Sequence, residues 1–400
     1  MPVFCAVRGK GRRPAVGQRF VEEVGAAERT RGMTAPPFIQ GLKLSQLFYD
    51  QAVKPILAER FPSLTYSAAR LDGGSDGLGF DTPRSMDHGW GPRLQLFLSE
   101  SDLKNFGERI LATLSDGLPY EFHGFSTNFS NREIGSGWME RIESGPICHV
   151  VSVQTIRSWM VGGLGCDPRD GLPAVNWLTL PEQKLRVMRS GRVFHDGLGE
   201  LEKIQVQLHY YPRAVWLYLL AAQWRRIDQE EPFMGRCGEV GDEIGSRILT
   251  ARLIRDVMRL CFLMEREYAP YSKWFGTAFS QLKCARELTP SLMAALSGGT
   301  WQEREAHLSL VYELVAAQHN ALGITPALDA KVSNFHDRPF KVIQSGRFVE
   351  AIRNAIQDDE VRRLPEHLGG VDQFVDSTDV SSYTARARRL KFMYQEENFQ

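Results

Sequence analysis

Two short runs in this chain could do chemistry: Gly73-Gly74-Ser75 and Asp87-His88, both within YSAARLDGGSDGLGFDTPRSMDHGWGPRLQLFL. Glycines let backbone N–H groups close on an anion, a serine hydroxyl adds a donor, and a strand-borne carboxylate can hold Mg2+ against phosphates. Gly74 and Ser75 are therefore candidate substrate-binding residues. Asp87, a dozen positions after Ser75, is the candidate catalytic carboxylate and metal ligand, with Mg2+ as its cofactor. His88 is a second catalytic candidate, since imidazole changes charge near neutral pH; the competing reading is a loop histidine bonded to backbone. Arg93 carries a planar fork suited to phosphate or carboxylate, or to a salt bridge with Asp87 or Asp81. Far along the chain, Lys273 stands between Tyr271 and Trp274, where a cation flanked by aromatic surfaces can hold a nucleotide or the 3′ end of an RNA.

The elements that must position these groups read as follows. Apolar residues at helical spacing (Ile39, Leu42, Leu44, Leu47, Phe48, Val53) predict a first helix ending near Pro62. Tyr66 to Leu71 predicts a strand running into the glycine turn, and Leu94, Leu96 and Leu98 predict a returning strand. Residues 101–113 predict a helix with Ser or Asp at its N-cap, and Phe122 to Gly137 a loop or irregular strands over the active face. Beyond Pro181 the pattern turns helical, at 212–229, 241–268 and 301–320, with a last basic stretch, TARARRLKFMYQ. Trp216, Tyr218, Trp224 and Phe262 at helical spacing are read as core.

Composition limits the function. The chain has 400 residues, enough for two cores. The expected layout is a basic extension over 1–32, read as disordered, an α/β domain over 33–180 and a mostly α-helical domain over 181–400. Lys+Arg and Asp+Glu both number 48, so any polyanion must be held by a local patch, such as Arg225-Arg226, Arg362-Arg363 or Arg386 to Lys391. Six cysteines without C-x-x-C spacing signal neither a disulfide framework nor a zinc site. No apolar run of about 18 residues and no signal-peptide pattern is present, so no membrane partner and a cytoplasmic location are expected.

The Gly-Ser followed by Asp87 resembles the signature of the nucleotidyltransferase superfamily, which continues Asp-x-Asp or Asp-x-Glu. Here Gly89 stands at the second acidic position. Asp76 and Asp81 lie nearby but at unsuitable loop spacing, and Asp196 and Glu202, in the run VFHDGLGELEKIQVQL read as a strand, are candidates for a third acid. Longer segments, including Tyr211-Pro212 and Lys273-Trp274-Phe275-Gly276, resemble the DUF4037 family over about residues 38–300, with a core near 181–300. The resemblance implies an α/β (α+β) nucleotidyltransferase-like domain followed by a helical one.

Three functions remain open. One is Mg-dependent nucleotidyl transfer to a small molecule. A second is transfer of an aminoacyl group, seryl by resemblance to a tRNA-dependent step of valanimycin assembly, from aminoacyl-tRNA to a small-molecule acceptor (an amine or hydroxylamine) in antibiotic biosynthesis. An aminoacyl ester is already activated, so this route needs only positioning, a base and oxyanion donors. The third is a non-catalytic nucleotide-binding protein.

Overall fold

The computed structural model describes residues 36–131 and 137–395; the predicted N-terminal extension, 1–32, lies outside them. The first helix, α1, begins at Gly41–Phe48, widens to a π-turn at Tyr49–Val53, and continues as Lys54–Arg60. Four short strands then form one mixed sheet in the order β3-β2-β1-β4: β1 Ser67–Arg70, β2 Gln95–Phe97, β3 Ser152–Gln154 and β4 Arg192–Asp196. β1 runs antiparallel to both β2 and β4, while β2 and β3 are parallel. β1 (SAAR) and β2 (QLF) are buried on both faces, with Arg70 and Gln95 as buried polar residues among small and apolar ones.

The sheet is flanked by α2 (Glu100–Gly117) and α3 (Ile156–Leu164). Ser99 caps α2, its Oγ accepting from the Asp102 N–H at 3.0 Å, and Glu100 and Asp102 sit in the first turn, where the helix dipole favours acids. The N-cap is thus Ser99 rather than a residue inside the predicted 101–113 segment. Phe122 to Gly137 contains a small hairpin, Glu121–Phe122 with Phe125–Ser126.

The run 193–208 was expected as one strand, but it splits. β4 ends at Asp196, a turn follows, and α5 spans Leu201–Gln207. The Asp196 carboxylate explains the break: it accepts from Ser67 Oγ at 2.8 Å and from the N–H groups of Glu200 and Glu202 at the head of α5. Asp196 is a capping acid on the sheet edge, and Glu202 lies on a helix.

The helical part comprises α4 (Glu182–Ser190), α6 (Arg213–Glu230), α7 (Glu243–Met264), α8 (Ser272–Phe279), α9 (Ala285–Ser297), α10 (Trp301–Ala321) and α11 (Gly346–Ala355), with shorter turns between them. α6 is the axis of this part. It is buried nearly all round and packs on α7 and α11. The Trp216 indole donates to the Leu263 carbonyl at 2.8 Å, and Trp224 stacks on Phe348 with ring centroids 4.4 Å apart. Trp216, Tyr218, Trp224 and Phe262 are core residues, as expected.

Residues Ile39–Gln400 cluster as one compact unit, which contains the expected boundary near 180. One apolar core runs from Ala69 and Phe97 of the sheet through Trp216 and Leu260 to Tyr394. No helix among the described residues is long and apolar enough to cross a membrane.

Two buried titrating groups make stability depend on pH. His319, fully buried, accepts from the Trp224 indole at 3.3 Å, and burial pulls its pKa from 6.5 down to about 4. As pH falls from about 6.5 toward 4, the unfolded chain takes up a proton that folded His319 refuses, so stability is lost by about 3 kcal/mol. Glu231, raised by burial to about 7, acts oppositely: its unfolded carboxyl ionises first, so stability falls as pH rises from about 4.5 to 7. Urea unfolding at pH 7 and pH 4.5 should therefore show wild type losing more stability on acidification than His319→Gln, by about 2–3 kcal/mol; equal losses contradict the assignment.

Candidate functional site

The glycine-rich loop leaves β1 at Arg70 and is held from beneath by buried charge. Arg70 Nη2 lies 2.8 Å from Asp76 Oδ2, and Arg93 Nη2 lies 3.1 Å from Asp76 Oδ1. Both arginines also donate to loop carbonyls: Arg70 to those of Asp72 and Gly73, each at 3.1 Å, and Arg93 to that of Gly73 at 3.3 Å. Arg70 pairs in addition with the Asp72 carboxylate. All three members of the Arg70–Asp76–Arg93 set are buried. Desolvation opposes the Asp76 charge, but the two guanidiniums outweigh it and hold the carboxyl below its ordinary value. Burial, reinforced by the charge of Arg93, pulls Arg70 down to about 10.

Glycine is required where the loop meets this set. Gly74 has φ +118°, and a Cβ there would lie 2.4 Å from Asp76 Oδ1 and 3.0 Å from Arg93 Nη2. Gly41, at the start of α1, is equally constrained, since its Cβ would fall 2.4 Å from that of Asp76. The Gly41 N–H donates to Asp81 Oδ2 at 2.7 Å, and the Trp90 indole donates to the same oxygen at 3.1 Å. Asp76 and Asp81, the possible substitutes for the missing acid, are thus both consumed in holding the loop.

Above the loop lies an open cleft of about 480 Å³. Its lining includes Gly74, Ser75, Asp87, His88, Arg93 and Lys273, so the structure brings together every site residue read from the sequence. Arg84, Tyr271 and Trp274 complete the wall, and no spacing pattern pointed to Arg84.

Two details differ from expectation. Asp87 sits in a bend of the loop after a 3-10 turn at Pro83–Ser85, and is not borne by a strand. The salt bridge of Arg93 goes to Asp76 rather than to Asp87 or Asp81. Asp87 instead faces His88, with Oδ2 3.5 Å from Nδ1. The contact is longer than a tight hydrogen bond. The side chains of His88 and Asp87 are 69% and 64% exposed, so water screens the pair until a substrate covers it.

Lys273 reaches the cleft through packing that no local pattern encodes. Its Nζ lies 5.1 Å from the centroid of Trp274, whose ring packs 5.4 Å from Phe80 of the glycine-rich loop. The Arg186 guanidinium lies 5.5 Å from the Phe80 ring, and Arg186 donates to the Tyr268 carbonyl at 2.6 Å. From the start of α4, Glu182 accepts from the Ala269 N–H at 2.7 Å and from Arg259 at 3.1 Å, while Gln183 accepts from the Tyr271 N–H at 3.0 Å. The segment leading into α8 is thereby fixed on both sides. Burial pushes the Glu182 carboxyl up, against the pull of Arg259.

Among the described residues lining the cleft, Asp87 is the one carboxylate not held by a buried arginine, and it faces His88. Gly89, at the second acidic position, adopts φ +68° and donates its N–H to the Gly137 carbonyl at 2.7 Å. Among the described residues no group of three His, Cys, Asp or Glu side chains is placed to hold a metal ion. These residues do not fit a resident two-metal centre.

The architecture is a mixed α/β sheet with many helices. Among solved structures, the chain is similar to the crystal structure of a nucleotidyltransferase-like protein from Exiguobacterium sibiricum 255-15, at 11% identity over 78% of this chain and 91% of that one, with a TM-score of 0.27. Residues 177–275 match the family described as Domain of unknown function (DUF4037). The match takes in Lys273 but stops short of the glycine-rich loop in sequence. No curated protein matches the chain.

Loop geometry and loop chemistry are separable by mutation. Gly74→Ala should lower stability by about 1–3 kcal/mol, because both its φ and its neighbours reject a Cβ. Ser75→Ala should stay within about 0.5 kcal/mol of wild type. Urea denaturation of both variants checks this; equal midpoints would remove the strain argument.

Proposed function

We propose that this protein is a transferase moving an acyl group from an aminoacyl-tRNA to a small amine or hydroxylamine bound in the cleft. The observation that carries the reading is the donor set: one exposed carboxylate–imidazole pair, Asp87–His88, beside a glycine-rich loop and an aromatic-flanked lysine. The N–H groups and hydroxyl of the loop suit the phosphate nearest the acceptor end, Lys273 suits backbone charge, and Trp274 or Tyr271 offers a stacking face for the terminal adenine.

With the ester carbonyl near His88, the acceptor nitrogen or hydroxyl attacks it while His88 takes the proton the nucleophile loses. The ester C–O bond then breaks, and the freed ribose hydroxyl recovers a proton from His88. Asp87 favours the imidazolium formed in between and orients the ring. Closure of the open cleft over substrate strengthens this pair by displacing water.

A second reading is supported by the order strand, Gly-Ser turn, Asp and returning strand, which suits nucleotidyl transfer from an NTP with Mg2+. There Asp87 would hold the ion together with the phosphates.

The two are told apart by donor. Purified protein is given a radiolabelled pool of charged tRNAs and a panel of amines and hydroxylamines, with a parallel lane of labelled NTP and Mg2+. The expected result is label leaving tRNA for a small product without NTP, with His88→Ala slowing transfer about 100-fold or more and Asp87→Asn weakening it less. Label passing from NTP instead, abolished by Asp87→Asn, supports the second reading. Unchanged rates in both variants would remove catalysis from this loop.

A further inference from the structure

A second, preformed groove lies on the helical part and shares no lining residue with the first cleft. It has two lobes, of about 260 and 440 Å³, joined at Arg353, Asn354, Glu366 and His367. One lobe mixes apolar Ala221, Ala222, Ile356, Val361 and Leu364 with Tyr218 and Arg362, and most of the surface it offers is polar. The other brings up Arg225 and Glu350.

We infer that this groove binds a small zwitterion, an α-amino acid or a molecule carrying the same carboxylate and ammonium. Charge of both signs faces one space. Arg353 pairs with Glu366, and His367 Nε2 lies 3.5 Å from the other Glu366 oxygen. Arg353 is half-buried and Glu366 exposed, so a carboxylate can take the guanidinium and an ammonium the freed Glu366 at little desolvation cost. The first lobe then receives the side chain beside Ala221, Ala222 and Ile356.

The loop presenting Glu366 and His367 is built to stay in place. The Tyr218 hydroxyl donates to the Pro365 carbonyl at 2.6 Å, and the Tyr394 hydroxyl donates to that of Gly369 at 2.7 Å. His367 itself is held at φ +69°, a left-handed conformation that costs a non-glycine residue energy and concentrates at functional positions. Nothing in the first cleft uses this loop. The inference therefore stands independently of the proposed reaction.

The test is isothermal titration of the full chain with the free amino acids, with the matching deaminated acids and with inorganic phosphate. The expected result is saturable binding of at least one amino acid and at least roughly tenfold weaker binding of its deaminated counterpart, because Glu366 then has no ammonium. Glu366→Gln should reduce affinity at least roughly tenfold. Asn354→Trp, at an exposed position on the rim, should block binding without disturbing the fold, verified by an unchanged Tm. Asp87→Asn should leave binding intact. Phosphate or simple carboxylates binding as well as amino acids would overturn the zwitterion assignment. So would an absence of binding at millimolar ligand, or affinity unchanged in both groove variants.

Discussion

Everything at the cleft depends on the ion set beneath it. Two guanidiniums and one carboxylate are taken out of water at the point where β1 ends, and Asp76 is the carboxylate that both arginines share. Removing the carboxylate would leave Arg93 without its carboxylate partner and Arg70 with only that of Asp72, while burial, reinforced by the charge of Arg93, already pulls Arg70 below its ordinary value. The set also explains the path of the loop. With Arg70 and Arg93 donating to the Gly73 carbonyl, the loop's acceptors point inward and its free surface is left to face the cleft. Gly41 and Gly74 follow from the same constraint, because each gives up a side chain to let Asp76 in.

The helical part is not an appendage to this arrangement. β4, supplied from beyond residue 180, pairs with β1 and fixes the strand that carries Arg70. Phe80 then serves as the hinge point of the contact: Trp274 lies against it and the Arg186 guanidinium lies beside it. Two links from α4, Glu182 to Ala269 and Gln183 to Tyr271, hold the chain just before Lys273. The lysine is therefore placed by α4 and the loop as much as by its own helix. Separating the chain at 180 would take both a sheet strand and one wall of the cleft from the first half.

Much of this site was legible in the sequence, because its signals are local. Gly73-Gly74-Ser75 after a strand, an acid and histidine before the next strand, and a lysine between aromatics each announce themselves within a few residues. The long helices were legible too, since their periodicity extends over many turns. What stayed hidden is pairing. Nothing in the spacing says that Arg93 spends its charge on Asp76 instead of Asp87, or that Arg70, at the end of β1, is part of the foundation of the loop. β3 is three residues long and shows no alternation to detect. The run through Asp196 reads as one strand because its turn is stabilised by a distant hydroxyl, that of Ser67.

Gly89 shows how far backbone and chemistry can be disentangled here. Its φ of +68° is left-handed, which at first suggests that glycine is present because the turn demands it. Aspartate, however, is among the residues that tolerate this region best, since its short polar side chain can bond locally. A second acid at this position would therefore be compatible with the turn that the structure adopts. With glycine there, Asp87 faces the His88 imidazole, Oδ2 lying 3.5 Å from Nδ1. On the proposed reading a carboxylate beside an imidazole supports a proton acceptor, whereas nucleotidyl transfer would call for a second acid at its side.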